Sequence, residues 1–292
     1  MKWINEYKSS LKMARVEELL DLFFYRIIAF LIVKTVYHTR ITPNHLTFAA
    51  IIMGITGGFF YSFGTDRSCI IGALFYMMFN ILDCSDGQLA RLKGNGKPIG
   101  RIIDGIADLI AAVAIYTGIA VGFAKNSNQF PLMLILLALS GISIIIQEAL
   151  VDYNRTRFLD YVLERKNTLA EGNDEFRIEY DILKNQKGKW IDKTILFIYL
   201  KYSEIQGKLA AKRKGEKTFQ TDSQAYFSKN RIIIRFWVLM GPTSKITILI
   251  LCSFFHRFDI FFWMVLGCFN VLAIVLSVIQ HNIDRYFLNS GG

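Results

Sequence analysis

Six apolar stretches, at about 44–64, 68–91, 99–123, 130–151, 242–256 and 259–281, constrain this chain more than anything else in it. Most approach the roughly 20 residues that carry a helix across a hydrocarbon core. The chain therefore reads as an all-α integral membrane protein with about six transmembrane helices. Composition agrees: 53% of residues are hydrophobic and 14% aromatic, yet the net charge is +10, an unusual pairing for a soluble domain. The basic excess suits an anionic membrane surface or phosphorylated ligands, and nothing in the pattern points to nucleic acid. Cys69, Cys84, Cys252 and Cys268 lie in or beside apolar segments without metal-ligand spacing. They read as packing residues, with no disulfide framework. The N-terminus shows no signal-peptide pattern, because apolar sequence begins late and no small-residue cleavage site follows it.

Against this background Asp83, Asp86, Asp104 and Asp108 are costly. Carboxylates at the edge of a bilayer-length apolar region mark a functional site by default. At roughly 100° per residue, Asp83, Asp86, Gly87 and Ala90 share one helical face. Gly100, Asp104 and Asp108, each four apart, form a ridge on the next helix. An antiparallel hairpin of the two segments would bring both ridges to one cavity. Unpaired, the carboxylates would repel and raise one another's pKa values. Hard divalent cations resolve that conflict, since Mg²⁺ and Mn²⁺ prefer carboxylate oxygens. Gly87 and Ala90 let a ligand approach the backbone, and Arg91 offers a charged fork for phosphate oxygens. Any one aspartate reads equally as a cap or surface charge. The whole set reads as a metal–phosphate site.

These residues, D-x2-D-G-x2-A-R-x8-G-x3-D-x3-D from Asp83 to Asp108, resemble the signature of the CDP-alcohol phosphotransferases. The resemblance implies a phospholipid-synthesising enzyme that displaces CMP from a CDP-activated group with an alcohol. It implies divalent metal, Mg²⁺ or Mn²⁺, read here as two ions on Asp83, Asp86 and Asp104 with Asp108 nearby, and it makes Asp108 the base. Gly87, Ala90, Arg91 and Gly100 would border the nucleotide and its phosphates. A P-[ND]-x2-T element of the family is similar to Pro43–Thr47 here, which assigns Asn44 and Thr47 to cytidine. Relatives that accept a phosphorylated alcohol carry S-Y-x-K-x-R, and this chain has Asp152-Tyr153-Asn154-Arg155-Thr156-Arg157. Arg155 and Arg157 are thus candidates for acceptor phosphate, although a basic flank on the cytoplasmic side explains them equally. Asp152 departs from the pattern. Lys245 would complete that basic pocket, or snorkel to the interface. The family is commonly dimeric, and glycine-containing spans would permit close packing in a homodimer.

Three parts follow from the pattern: 1–157 with an interfacial helix and four spans, a helical cytoplasmic insertion at 158–230, and two spans in 231–292. Residues 16–38 mix an apolar face with Glu17, Glu18, Asp21, Arg26 and Lys34, as a helix lying in the interface does. Thr42 reads as an N-cap and Pro43 as a first-turn proline, with His45 an interfacial side chain. The 92–98 turn is rich in glycine and lysine, and topology alone accounts for Lys93, Lys97 and Arg101. The insertion is charged, with an amphipathic helix near 189–214 ending in Lys212-Arg213-Lys214, and reads as a lid or partner surface. Basic residues concentrate on one side, which puts the aspartates at the cytoplasmic face of an inner membrane or its equivalent.

Two routes stay open. Either CDP-diacylglycerol donates a phosphatidyl group to a polar alcohol, or CDP-choline or CDP-ethanolamine donates a head group to a lipid. The basic residues favour an anionic acceptor such as inositol phosphate or glycerol phosphate. An intramembrane prenyltransferase would need a second Asp-rich motif, and a divalent-metal transporter would need carboxylates near the midplane and an internal repeat.

Overall fold

In the computed structural model the described residues are 2–11, 17–94, 96, 98–126, 130–162, 174–184, 189–211 and 223–290, and no strand occurs among them. The chain forms α1 (Lys2–Ser10), a π-helical turn (Asp21–Tyr25) running into α2 (Arg26–Val36), α3 (Pro43–Tyr61), α4 (Asp66–Lys93), α5 (Pro98–Asn126) and α6 (Phe130–Val162). It continues through α7 (Asp174–Lys184), α8 (Trp190–Ala211), α9 (Ser223–Asn230), α10 (Ile233–Leu239), α11 (Pro242–Phe254) and α12 (Phe258–Phe262). A second π-helical segment (Trp263–Phe269) leads into α13 (Asn270–Ser290). Lys97, Glu164, Arg165, Lys166, Glu171, Lys187 and the Lys212–Lys214 run lie outside the described residues.

Among the described residues four helical stretches are long and apolar enough to cross a bilayer: Asp66–Lys93, Pro98–Lys125, Phe130–Val162 and Phe258–Phe287. α10 and α11, bent by 44° around Gly241, make a fifth if counted as one span. About six were expected, and α3 accounts for the difference. It is only 19 residues long, and its first turn is polar at Asn44 and His45. His45 Nδ1 accepts the Thr42 N–H at 3.2 Å, a capping bond that explains this histidine without a ligand. α4 starts on a capping box between Thr65 and Ser68 and ends at Gly94, whose φ of 62° is the left-handed C-cap conformation.

α3 lies along both α4 and α5, whereas α4 and α5 touch each other only sparingly. The two acidic ridges share one cavity, as an antiparallel hairpin would bring about, but α3 rather than direct α4–α5 packing holds the pair. α4 and α5 run antiparallel, but α3 wedges them together on one side and leaves the aspartate faces room for a ligand. Close backbone approach makes this possible. A Cβ on Gly58 would overlap the Ala114 carbonyl, and one on Gly118 would overlap the Gly58 carbonyl. These glycines pack within the chain, not against a second copy.

α2 lies on α4, burying Tyr25, Ala29 and Ile81 together. Gln88 Nε2 donates to the Arg26 carbonyl at 3.0 Å, and the Tyr25 hydroxyl meets Thr247 Oγ1 at 3.0 Å. α6 is fixed to the C-terminal helix by buried polar groups. Gln147 Nε2 donates to Asn270 Oδ1 at 2.8 Å and to the Val265 carbonyl at 3.0 Å, a carbonyl of the π-helical segment. α7 and α8 pack Phe176, Leu183 and Leu196 against Ile99 in the first turn of α5. There Glu179 Oε2 accepts the Ile99 N–H at 2.7 Å, and Arg101 pairs with Glu175. The insertion thus caps the helix that carries Asp104 and Asp108.

Candidate active site

A cavity of about 660 Å³ opens between α4, α5, α6, α11 and the Glu17–Arg26 segment. On its floor Asp83, Asp86 and Asp104 each present one carboxylate oxygen, all within 4.8 Å of one another. Asp108, a turn further along α5, lines the same cavity outside this triad. The buried Oδ1 of Asp83 has no hydrogen-bond partner among the described residues, and Asp86 Oδ2 takes the Thr47 hydroxyl. An orphaned, buried carboxylate oxygen among converging carboxylates fits a hard divalent cation. Cys84 adds no sulfur to the set, since its Sγ turns toward Asp21 Oδ1 at 3.9 Å. Gly87 lines the cavity under the Arg91 guanidinium, and a Cβ there would come within 3.3 Å of Nη1. Arg91 is braced by a bond from Nε to the Ser10 carbonyl.

Other sequence-derived candidates fall in different places. Arg155 lines the cavity, but Arg157 Nη1 sits 2.6 Å from Asp284 Oδ2 and is not part of the lining. Lys245 lines it and is only 3% exposed, with Nζ 3.6 Å from Glu148 Oε1. Thr47 is buried behind Asp86, while Asn44 is exposed and away from the lining. Ala90 and Gly100 do not line it either, and a Cβ on Gly100 would meet open space.

The N-terminal charges are the largest surprise. The sequence suggests an interfacial helix with charges toward water. Instead Glu17, Glu18, Asp21 and Arg26 line the cavity, while Phe23 and Leu31 are 73% and 53% exposed. The apolar side is exposed on the outside and the charged side faces in. Arg26 Nη1 lies 3.2 Å from Glu17 Oε1. Glu18 caps α11 from outside the helix. Its oxygens accept the Thr243 N–H at 3.1 Å, the Ser244 N–H at 2.8 Å and the Ser244 hydroxyl at 2.9 Å. Gly241 is required beneath it, because any Cβ would overlap the Glu18 carboxylate. Burial, reinforced by the charge of Asp21 and opposed by the bonds from Ser244 and Thr243, pushes the Glu18 carboxyl up to about 7. Burial also raises Asp21. The cost of charges within apolar sequence, which exposed the aspartates, applies to these residues and to Glu148 as well.

One wall is apolar. Leu109, Val113 and Ile145 line the cavity and are exposed. The cavity thus has a polar floor and an apolar side.

Residues 40–166, which run from before α3 to beyond α6 and include the four aspartates, match the family model described as CDP-alcohol phosphatidyltransferase. No curated protein matches the chain. The family match supports phospholipid head-group transfer from a CDP-alcohol by a transferase of substituted phosphate groups. The family uses divalent metal, and the Asp83, Asp86 and Asp104 cluster is able to bind one.

Proposed function

We propose that the protein transfers a phosphatidyl group from CDP-diacylglycerol to a polar alcohol and releases CMP, at a site facing the cytoplasm. The observation that carries this reading is the convergence of Asp83, Asp86 and Asp104, with Asp108 beside them, in a cavity that has one apolar wall. The apolar wall suits a lipid, and the buried Lys245 ammonium with the half-exposed Glu148 carboxylate beside it suits a polar acceptor rather than a second lipid. That assigns the lipid to the CDP-bearing substrate.

Asp83, Asp86 and Asp104, with Asp108 nearby, would hold two Mg²⁺ or Mn²⁺ ions, which when bound neutralise the diphosphate and the leaving CMP. Arg91, lying over Gly87, directs its guanidinium at phosphate oxygens that approach the α4 backbone. Thr47 orients Asp86 through its hydroxyl instead of reading cytosine directly. Asn44 then stays as the candidate for cytidine, with Ala90 and Gly100 as small residues near the nucleotide. Asp108 takes the proton of the acceptor hydroxyl. The acceptor oxygen forms its bond to the lipid-bearing phosphorus as the bond from that phosphorus to the CMP oxygen breaks. CMP carries away the electron pair, and the proton stays on Asp108.

A homodimer, expected from the family, would need surfaces other than the internal glycine seam. Mass measurement of the detergent-solubilised protein tests it. The transfer itself is tested with purified protein, labelled CDP-diacylglycerol, Mg²⁺ and a panel of alcohols. Label should enter a phospholipid with CMP released, and thorough chelation should stop both. Incorporation only from CDP-choline or CDP-ethanolamine would reverse the assignment of the lipid. Metal uptake into vesicles without CMP release would identify a transporter.

A further inference from the structure

The acceptor end of the cavity is built from residues outside the aspartate signature. Glu148 on α6 and Lys245 on α11 face each other with Oε1 and Nζ 3.6 Å apart, just beyond hydrogen-bond reach. Lys245 is 97% enclosed, and its Nζ has no hydrogen-bond partner among the described residues. Asn80, one turn before Asp83 and 4% exposed, likewise leaves Nδ2 without a partner. All three side chains line the cavity. Buried donors left unpaired cost on the order of 1–3 kcal/mol each, so in a cavity they mark where ligand atoms bind.

The charge of this end opposes a phosphorylated acceptor. Arg157 is held by Asp284, which is held in turn by Gln280 Nε2 at 3.1 Å. The ammonium of Lys245 is matched by the Glu148 carboxylate, and Asp108 stands nearby on the same wall. A phosphate dianion placed here would meet the carboxylates of Glu148 and Asp108; of the other cations that line the cavity, Arg26 is paired with Glu17 and Arg91 lies over Gly87, which leaves Arg155. An acceptor without phosphate avoids that repulsion. It can give Glu148 a hydroxyl or ammonium donor, and give Lys245 and Asn80 an acceptor atom.

We propose, resting on the transfer reading above, that Glu148 and Lys245 form the subsite that selects the acceptor. The subsite takes an unphosphorylated alcohol and discriminates against phosphorylated ones. This reverses the preference that the basic residues suggest in the sequence alone.

The test uses the full chain with CDP-diacylglycerol and Mg²⁺, reading CMP release and product. Myo-inositol, glycerol and serine are compared with inositol phosphate and glycerol phosphate. The wild-type protein should favour an unphosphorylated acceptor over a phosphorylated one by at least ~10-fold in kcat/KM. Whether serine or a polyol leads tells whether Glu148 holds an ammonium or a hydroxyl, and either result supports the subsite. Glu148→Gln and Lys245→Gln should raise the acceptor KM about tenfold while leaving the KM for CDP-diacylglycerol and the Mg²⁺ requirement unchanged. Preference for a phosphorylated acceptor by the wild type overturns the inference and leaves the transfer reading intact. So does a Glu148→Gln protein whose defect lies in CDP-diacylglycerol binding. Absence of CMP release with every acceptor sinks the transfer reading itself. The wild-type panel decides even if a variant fails to fold.

Discussion

The metal end and the acceptor end of the cavity are constructed in opposite ways. The first is local: Asp83, Asp86 and Asp104 come from two consecutive helices joined by a short turn. The second, as proposed, is assembled across the chain from Asn80, Glu148 and Lys245, and the helix of Lys245 is capped by Glu18, 225 positions before Thr243. On the proposed reading, the contrast teaches that the bond-breaking chemistry belongs to a compact run of sequence. The proposed choice of acceptor belongs to contacts between distant segments.

The contrast can be broken most directly at the metal end. Asp83→Asn or Asp104→Asn should lower CMP release by about 10³-fold or more, since the metal cage loses a ligand. Asp108→Asn should do so while CDP-lipid binding is kept, because only the proton acceptor is removed. Near-normal turnover by that protein would remove Asp108 as the base. At the acceptor end the expected change is smaller and of another kind. Glu148→Gln should move the acceptor KM about tenfold with the CDP-lipid KM fixed, and a shift in both would erase the division between the two ends.

The remaining effects are on stability. Gly241→Ala drives a Cβ into the Glu18 carboxylate and should cost about 1–3 kcal/mol, read as a lower Tm in detergent. Glu179→Ala removes the cap on α5 and should cost about 1 kcal/mol. Faster amide exchange at Ile99, with the Mg²⁺ requirement altered, would tie the insertion to the metal end. The smallest effect is a pH slope. Glu18 is held at about 7, above the 4.5 of the free side chain. A carboxyl raised on folding stabilises the fold below the lower value, and that contribution fades as pH rises through the upper one. Glu18 should therefore add at most one proton's worth of slope to the decline of Tm from about pH 5 to 7, and the decline should be shallower in Glu18→Gln. An identical slope in both proteins would remove Glu18 as its source.

The sequence by itself determined the all-α membrane architecture, the antiparallel order of α4 and α5, and the helix starts at Thr42 and Pro43. It also marked out the aspartates as a group. Each of these rests on spacing along one helix or on the length of one apolar run, which are local quantities. Only the tertiary structure decided that α3 holds α4 and α5 together, and that Glu17, Glu18, Asp21 and Arg26 turn inward. Only it showed Arg157 occupied by Asp284 and Lys245 set against Glu148. A charged residue in an apolar segment announces that it needs a partner. Which partner it finds is settled by the packing of helices far apart in the chain, and no periodicity within one segment records that.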